Sequence, residues 1–342
     1  MNTLLSTPLL AVDGLSVARG GADARSPLIH NVSFDVHRGE TVCLVGESGS
    51  GKTLTALALM SLLPAGLQAV AGQCLFDDRD VLQLPFRQRQ RIYGRDIAMI
   101  FQDPMSSLNP VLTVGEQIDE SLARHQPGWT QRQRQSRAED VLVMTGIREP
   151  RACLRRYPHE LSGGLCQRIL IAIALANQPR LIIADEPTTA LDVTVQAQVM
   201  TTLRAACEQM GAALILITHD MGLVGQYADR VMVMYAGRIV EQGTTAAVFQ
   251  QPRHPYSRAL LDSIPRLTDD PNRELTVIPG EPSISSALLP GCAFAPRCPR
   301  CRGRQICRTE SPSLTLETEA TLHWSACHFS EEASAKPPAV AL

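Results

Sequence analysis

Long hydrophobic runs are missing from this chain of 342 residues. The longest wholly apolar stretch is Ile169–Ala176, far shorter than the roughly 20 residues that a membrane-spanning helix needs. The N-terminus also lacks the basic segment and long apolar stretch that mark a secretory signal. We therefore expect a cytosolic chain, for which any role at a membrane requires other subunits.

Aromatic residues and net charge are also low. Phe, Tyr and Trp make up 4% of the residues although 44% are hydrophobic, so Leu, Ile, Val and Ala must fill the core. The formal net charge of −2 gives no whole-chain attraction to nucleic acid or anionic lipid, and we expect no nucleic-acid partner. The sequence shows no internal repeat and no coiled-coil heptads.

Apolar periodicity predicts an α/β protein. Alternation between residues 9 and 45 predicts strands, and the polar, Arg- and Gln-rich stretch from about residue 86 to 156 predicts an inserted helical subdomain. Helices are predicted at Leu54–Leu63, Val114–His125, Gln131–Thr145 and Gln167–Asn177. Buried parallel strands are predicted at Leu181–Ala184, Leu214–Thr218 and Val231–Met234. This alternation favours a doubly wound core.

A glycine-rich loop follows the strand predicted at Thr41–Val45. It fits the phosphate-binding pattern G-x-x-x-x-G-K-[ST] with Gly46, Glu47, Ser48, Gly49, Ser50, Gly51, Lys52 and Thr53. The glycines let backbone N–H groups point at phosphate oxygens, and the helix that follows adds its dipole. We expect Lys52 to reach the β- and γ-phosphates of ATP and Thr53 to ligate Mg²⁺.

Two acidic residues end the apolar strand predicted after residue 180. This places Asp185 and Glu186 at the carboxyl edge of the sheet, where ligands bind in open α/β folds. We expect Asp185 to hold Mg²⁺ and Glu186 to act as the general base for the attacking water. The alternative is a pair of acids that only cap the next helix, and the P-loop argues against it.

The stretch Leu161-Ser162-Gly163-Gly164 resembles the signature sequence of ABC ATPases. It is a second anion site, at the start of an apolar helix. In that family, each signature completes the ATP site of the partner in a head-to-tail dimer. The same resemblance identifies Gln102 as the Q-loop residue, Asp192 as the D-loop residue and His219 as the switch histidine. It also implies that Gln102 ligates Mg²⁺. The catalytic residues that we expect are Glu186, His219 and Gln102.

Further stretches are similar to the ATPase subunits of oligopeptide, dipeptide and nickel permeases. They are FQDPMSSLNP, YPHELS, ADEPTTALDVTVQ, VMYAG and RHPY, within a likeness that covers residues 9–328. The resemblance implies a P-loop ABC ATPase with a RecA-like core and antiparallel β and helical subdomains. It implies an ATP-hydrolysing importer subunit for peptides or a related small solute, peripheral on the cytoplasmic face of the inner membrane.

The same family resemblance implies particular partners. These are a second, different ATPase subunit, two transmembrane permease subunits and a substrate-binding protein. Two departures from the family pattern stand out. Arg19 takes the place of an aromatic residue that stacks on adenine, which a guanidinium can also do. Leu165-Cys166 replaces the usual Met-Arg of the signature.

Five of the ten cysteines lie between Cys292 and Cys327. In a reducing compartment such crowding favours a metal or cluster over disulfides. The segment from residue 291 to 299 is similar to one that binds a [4Fe–4S] cluster in some family members. This implies Cys292, Cys298, Cys307 and Cys327 as ligands, with Cys301 as a competing third ligand. Zinc and free thiols are the alternatives.

These features predict two domains, an ABC ATPase domain at residues 1–258 and a small Cys-rich domain at 259–342. An alternative function is that of a soluble ABC-type ATPase acting on ribosomes or DNA. Such proteins usually carry two ATPase modules or long coiled coils, and this chain has neither. A regulatory subunit that hydrolyses ATP slowly is disfavoured because Glu186 and His219 are both present.

Overall fold

The computed structural model describes residues 7–20, 27–189, 191–264, 277–281, 290–318 and 321–335. This part of the chain forms two compact units. The first unit contains residues up to Leu10, Val36–Glu40 and Phe76–Ile217. The second unit contains Ala11–Asp35, Thr41–Leu75 and the residues from Thr218 onward. The P-loop therefore belongs to the second unit, and the acidic pair belongs to the first.

The strands and helices alternate along the chain, as the sequence predicts. The strands are β1 (Leu10–Arg19), β2 (Ile29–Val36), β3 (Thr41–Val45), β4 (Leu67–Phe76), β5 (Arg79–Asp80), β6 (Ile97–Ile100), β7 (Leu181–Asp185), β8 (Ala213–Thr218), β9 (Arg230–Tyr235), β10 (Arg238–Thr244), β11 (Thr315–Thr318) and β12 (His323–Ser325). The α-helices are α1 (Lys52–Leu59), α2 (Phe86–Ile92), α3 (Pro104–Ser107), α4 (Val114–His125), α5 (Gln131–Met144), α6 (Pro150–Cys153), α7 (Gly163–Leu175), α8 (Val193–Met210), α9 (Met221–Tyr227), α10 (Thr245–Gln250), α11 (Pro255–Asp262) and α12 (Ile306–Thr309). Within the described ranges, every helix is too short or too polar to cross a bilayer.

The core of the first unit is a parallel arrangement of β6, β7 and β8. Ile97 lies opposite Leu181, and Leu181 lies opposite Ala213. Every residue of these three strands is buried, which explains why they appear in the sequence as continuous apolar runs. The apolar helix α7 contacts β6 as well as α4 and α5.

Capping residues fix the helices of the first unit. Helix α4 has the predicted bounds, because Thr113 and Glu116 form a capping box at its start. Helix α5 starts at the predicted residue through a second box made by Thr130 and Gln133. The guanidinium of Arg137 donates hydrogen bonds to the last carbonyl groups of α7, which joins the two helices.

Two other helix ends differ from the sequence-based prediction. Helix α1 stops at Leu59 rather than Leu63, because Ser61 adopts a left-handed conformation with φ of 55° well before the proline at residue 64. Helix α7 begins at Gly163 rather than Gln167, because the side chain of Ser162 caps it. The signature is thus the first turn of the helix and not a loop before it.

The second unit contains two sheets. One includes the neighbours β2, β1 and β4. In the other, β3 pairs in parallel with β9, and β9, β10, β12 and β11 then pair antiparallel in that order. The C-terminal strands therefore extend the sheet that contains β3, the strand before the glycine-rich loop.

A separate Cys-rich C-terminal domain is not supported. Besides the pairing of β12 with β10, the ring of Phe294 packs against Tyr235 and Tyr256, with ring centroids 5.2 and 5.3 Å apart. The C-terminal residues thus share their apolar contacts with earlier parts of the second unit instead of forming an isolated core. The domain boundary expected at residue 258 stays a prediction.

A buried carboxylate connects three segments of the second unit. Glu241 on β10 is fully buried, and its oxygens accept hydrogen bonds from the backbone N–H groups of Arg253 and His254, at 2.6 and 2.8 Å. One oxygen also lies 2.7 Å from Nε2 of His323 on β12. All of these groups lose water on folding, so each depends on the carboxylate for a partner.

Replacing Glu241 should therefore destabilise the chain strongly. For Glu241→Leu we expect the free energy of unfolding to fall by about 3–5 kcal/mol, because buried polar partners lose their acceptor. The matched control is Glu208→Leu, since the side chain of Glu208 is 63% exposed and forms a surface ion pair with Arg204 at 2.8 Å. Its loss should cost less than about 1 kcal/mol. Urea unfolding measures both, and equal losses would contradict this account.

Candidate nucleotide-binding site

The P-loop lies between the buried strand β3 and the start of α1. Gly51 occupies the position before α1 with φ of 109°, no side chain caps the helix, and its first turn has no acidic residue. The N–H groups at this end are therefore not matched by a carboxylate of the first turn, and they carry the positive end of the helix dipole. This arrangement suits a phosphate group.

Local geometry explains two glycines of the loop. A Cβ atom at Gly46 would overlap the carbonyl oxygen of Met234, at the end of β9. A Cβ atom at Gly51 would lie 2.6 Å from Cδ1 of Ile29. The backbone contact at Gly46 and the φ of 109° at Gly51 both favour glycine, which gives a structural reason for the pattern that the sequence shows.

Lys52 is buried and curls back over the loop. Its Nζ donates hydrogen bonds to the carbonyl oxygens of Gly46 and Glu47, at 2.9 and 3.1 Å. The loop thus holds the ammonium group beside the position where a phosphate is expected. Thr53 is exposed in the first turn of α1, so its hydroxyl is accessible to a metal-bound nucleotide.

The acidic pair lies at the end of β7 in the first unit. Asp185 is buried, whereas Glu186 has a left-handed φ of 45° and donates its N–H to the carbonyl of Ile217. A non-glycine residue in this conformation stores strain, which is typical of functional sites.

The structure brings Gln102 and Glu186 together. Nε2 of Gln102 donates a hydrogen bond of 3.0 Å to Oε2 of Glu186, and the hydroxyl of Thr189 donates another of 3.0 Å to the same oxygen. Two hydrogen bonds thus converge on one carboxylate oxygen of Glu186, and the catalytic roles of Gln102 and Glu186 stay predictions. Sequence reasoning missed Thr189, although it lies in the stretch ADEPTTALDVTVQ that carries the family resemblance.

The signature forms an exposed helix start in the first unit. Ser162 and Gly163 are exposed, and the Ser162 hydroxyl accepts a hydrogen bond from the N–H of Leu165. A Cβ atom at Gly164 would lie 2.7 Å from Cγ1 of Val195 on α8, so a larger residue there would have to displace the Val195 side chain. The geometry is that of an accessible anion site.

The remaining predicted residues lie at the ends of elements. Asp192 is exposed and caps α8 by accepting the N–H of Val195 at 3.0 Å. His219 is exposed directly after β8, and Arg19 is exposed at the end of β1. The cap explains Asp192 locally, and the nucleotide-related roles of these three residues stay predictions.

Four of the C-terminal cysteines line one cavity, namely Cys292, Cys298, Cys301 and Cys307, and none of them forms a disulfide in the structure. The backbone N–H of Cys292 donates to the carbonyl of Cys307 at 2.9 Å. Burial raises the pKa of Cys292 to about 12 and that of Cys307 to about 11, with smaller contributions from neighbouring thiols. Burial also raises the pKa values of Cys298 and Cys327.

These thiols do not fit the metal site expected from the sequence. In the part of the chain that the structure describes, which includes all five of these cysteines, no three His, Cys, Asp or Glu side chains are arranged to hold a metal ion. The expected iron–sulfur cluster, its zinc alternative and the competing ligand Cys301 are therefore not supported.

Comparison with known proteins defines the class of this fold and site. Residues 29–189 match the family model described as ABC transporter, and residues 240–307 match the C-terminal region of oligopeptide/dipeptide transporters. The structure resembles the ATP-binding cassette MJ0796, solved as a dimer bound to ADP and Pi, with a TM-score of 0.61 and 27% identity. That match covers 69% of this chain and 98% of the cassette. The chain thus has the α/β fold of an ABC ATPase.

Full-length relatives narrow the class further. The chain is 44% identical to the dipeptide transport ATP-binding protein DppD of Escherichia coli over 96% of this chain and 99% of that protein. It is 45% identical to the oligopeptide transport ATP-binding protein AppD of Bacillus subtilis over 84% of this chain and 87% of that protein. The chain belongs to this family of ABC transporter ATP-binding proteins.

The close contact at Gly46 leads to a first test of the site. Gly46→Ala should lower the free energy of unfolding by about 1–3 kcal/mol and abolish binding of a fluorescent ATP analogue, because the added methyl group displaces the loop from β9. Gly128→Ala is the control, since a Cβ atom there meets no neighbour within 4 Å. Unchanged nucleotide binding by Gly46→Ala would show that the loop tolerates the displacement.

Proposed function

We propose that this chain is the ATP-hydrolysing subunit of a peptide importer and works as half of a head-to-tail ATPase dimer. The observation that carries the proposal is that one chain has one P-loop and one exposed signature helix start, Ser162–Gly164. A dimer gives each exposed signature a γ-phosphate to bind on the partner.

The residues of the P-loop bind the phosphates of ATP in this proposal. The backbone from Gly46 to Gly51 and the start of α1 supply N–H donors, and Lys52 exchanges its carbonyl partners for phosphate oxygens. Mg²⁺, when bound, neutralises charge on the phosphates. Thr53, Asp185 and Gln102 provide the oxygen ligands that this ion prefers.

Glu186 accepts the proton of the attacking water as general base. Its hydrogen bonds from Gln102 and Thr189 orient the carboxyl group, which is the positioning that general-base catalysis requires. His219 supports the γ-phosphate in the same site. Ser162, Gly163, Gly164 and Asp192 act in the site of the partner subunit, and Arg19 stacks on adenine.

The partners follow from relatives that match the chain nearly end to end. These relatives are named for dipeptide and oligopeptide transport, so we infer a peptide or a related small solute as cargo. The complex contains a second, different ATPase subunit, two transmembrane permease subunits and a substrate-binding protein. The chain then lies on the cytoplasmic face of the inner membrane, held there by the permease subunits.

Two substitutions separate nucleotide binding from hydrolysis. Lys52→Ala should lose ATP binding, because the phosphates lose their cation. Glu186→Gln should keep ATP bound, yet lower the hydrolysis rate of the assembled transporter by about 10²–10⁴-fold, because the general base is gone. Arg151→Gln, at an 82% exposed side chain, is the control. A Glu186→Gln complex that hydrolyses ATP at the original rate would exclude Glu186 as the base.

The dimer itself can be tested with the isolated chain. Each chain holds only half of an ATP site, so the purified subunit should hydrolyse ATP slowly and at a rate per chain that rises with protein concentration. Adding the partner ATPase and permease subunits should raise the rate further. Fast hydrolysis at a constant rate per chain, by a chain shown to be monomeric in the ultracentrifuge, would overturn the dimer proposal.

A further inference from the structure

Glu47, the second residue of the P-loop, forms an ion pair with a residue 250 positions later. Two nitrogens of Arg297 donate to its two carboxylate oxygens, with Nη1–Oε2 at 2.7 Å and Nη2–Oε1 at 3.0 Å. The side chain of Arg297 is only 5% exposed and that of Glu47 is 23% exposed. Paired hydrogen bonds of this kind fix direction as well as distance.

The surroundings of Arg297 hold the guanidinium in one orientation. Its Nε donates to the carbonyl oxygen of Pro279 at 2.8 Å. Its Cζ lies 5.8 Å from the ring centroid of Tyr235 and 6.0 Å from that of Phe294. The guanidinium of Arg297 is therefore a fixed donor, and its position determines where the carboxylate of Glu47 lies.

The backbone of Glu47 is held as well. Its N–H donates a hydrogen bond of 2.8 Å to the hydroxyl of Tyr256, whose buried ring packs against Tyr235 at a centroid distance of 4.7 Å. Tyr256 ends the stretch RHPY, and Arg297 lies in the stretch that contains Cys292 and Cys298. The sequence alone assigned no role to Tyr256 or Arg297.

The contacts continue from Glu47 to the phosphate-binding lysine. Nζ of Lys52 donates to the carbonyl oxygen of Glu47 at 3.1 Å. The peptide group of Glu47 therefore helps to place the ammonium group, and Arg297 together with Tyr256 places Glu47. This series of contacts lies entirely within the second unit.

We propose that Arg297 is a positioning residue for ATP binding, which acts through Glu47 to hold the P-loop in the conformation that receives the phosphates. The proposal rests on the proposed function, because it assumes that ATP binds at the P-loop. It gives the C-terminal segment around Arg297 a direct effect on nucleotide affinity. Binding of ATP then depends on residues well beyond the loop that contacts it.

The test is a double-mutant cycle on the purified full-length chain, with the dissociation constant for MgATP measured by calorimetry. Arg297→Gln and Glu47→Gln should each raise this constant about tenfold, the size expected when contacting residues are uncoupled. The double variant should be no weaker than either single variant. Arg297→Lys keeps the charge but not the paired geometry, and it should recover part of the affinity.

Arg304→Gln is the matched control, because the ion-pair partner of Arg304 is Glu332 and not a residue of the P-loop. Its dissociation constant should stay within about twofold of the original, a change below 0.5 kcal/mol. Thermal unfolding without nucleotide is measured on every variant. A loss of affinity in a variant that unfolds at the original temperature supports positioning rather than general stability.

Two results would overturn the proposal, and they are distinguishable. If the original chain binds MgATP and a folded Arg297→Gln variant binds it equally well, the positioning role is wrong and the proposed function stands. If the original chain binds MgATP no better than Lys52→Ala, the proposed function fails and this inference fails with it. Should Arg297→Gln not fold, Glu47→Gln decides, and unchanged binding by that variant rejects the positioning role.

Discussion

The turn between β9 and β10 is the constraint on which the second unit depends. Three backbone segments meet there without room for a side chain, since a Cβ atom at Gly46 would overlap Met234 and one at Gly237 would overlap the carbonyl of Leu28. The N–H of Gly237 also donates to the carbonyl of Ser50 at 2.8 Å. These contacts fix the position of the P-loop against β9 and β10, which lie almost 200 residues later in the sequence.

In the first unit, parallel pairing explains how two distant residues meet. Ile100 of β6 lies opposite Ala184 of β7, so the segments that follow both strands emerge side by side. Gln102 lies two residues after Ile100, and Glu186 lies two residues after Ala184. Their hydrogen bond therefore results from the register of buried apolar strands.

Local signals in the sequence predict much of this fold, and distant contacts account for most of the rest. Continuous apolar runs identified β7 and β8, and the capping box of Thr113 and Glu116 gave helix α4 its correct bounds. Strand β4 was missed because most of its residues are exposed and show no clear alternation. The P-loop was predicted from its glycines, but its ion pair with Arg297 joins residues too far apart for any local pattern to reveal. The metal site expected from the C-terminal cysteines is not supported, because closeness in sequence does not ensure the geometry of a ligand set.

The pairing of β12 with β10 has a consequence for how the chain meets its neighbours. β10 has a hydrogen-bonding edge that β12 covers at Glu241 and Gln242, and β11 then forms the outer border of that sheet as a four-residue strand with an irregular register. Short and irregular outer strands are poor templates for pairing between molecules. A chain shortened before His323 would leave this part of β10 unpaired and able to pair with strands of other copies. The C-terminal strands of the full chain therefore protect it from aggregation through strand pairing.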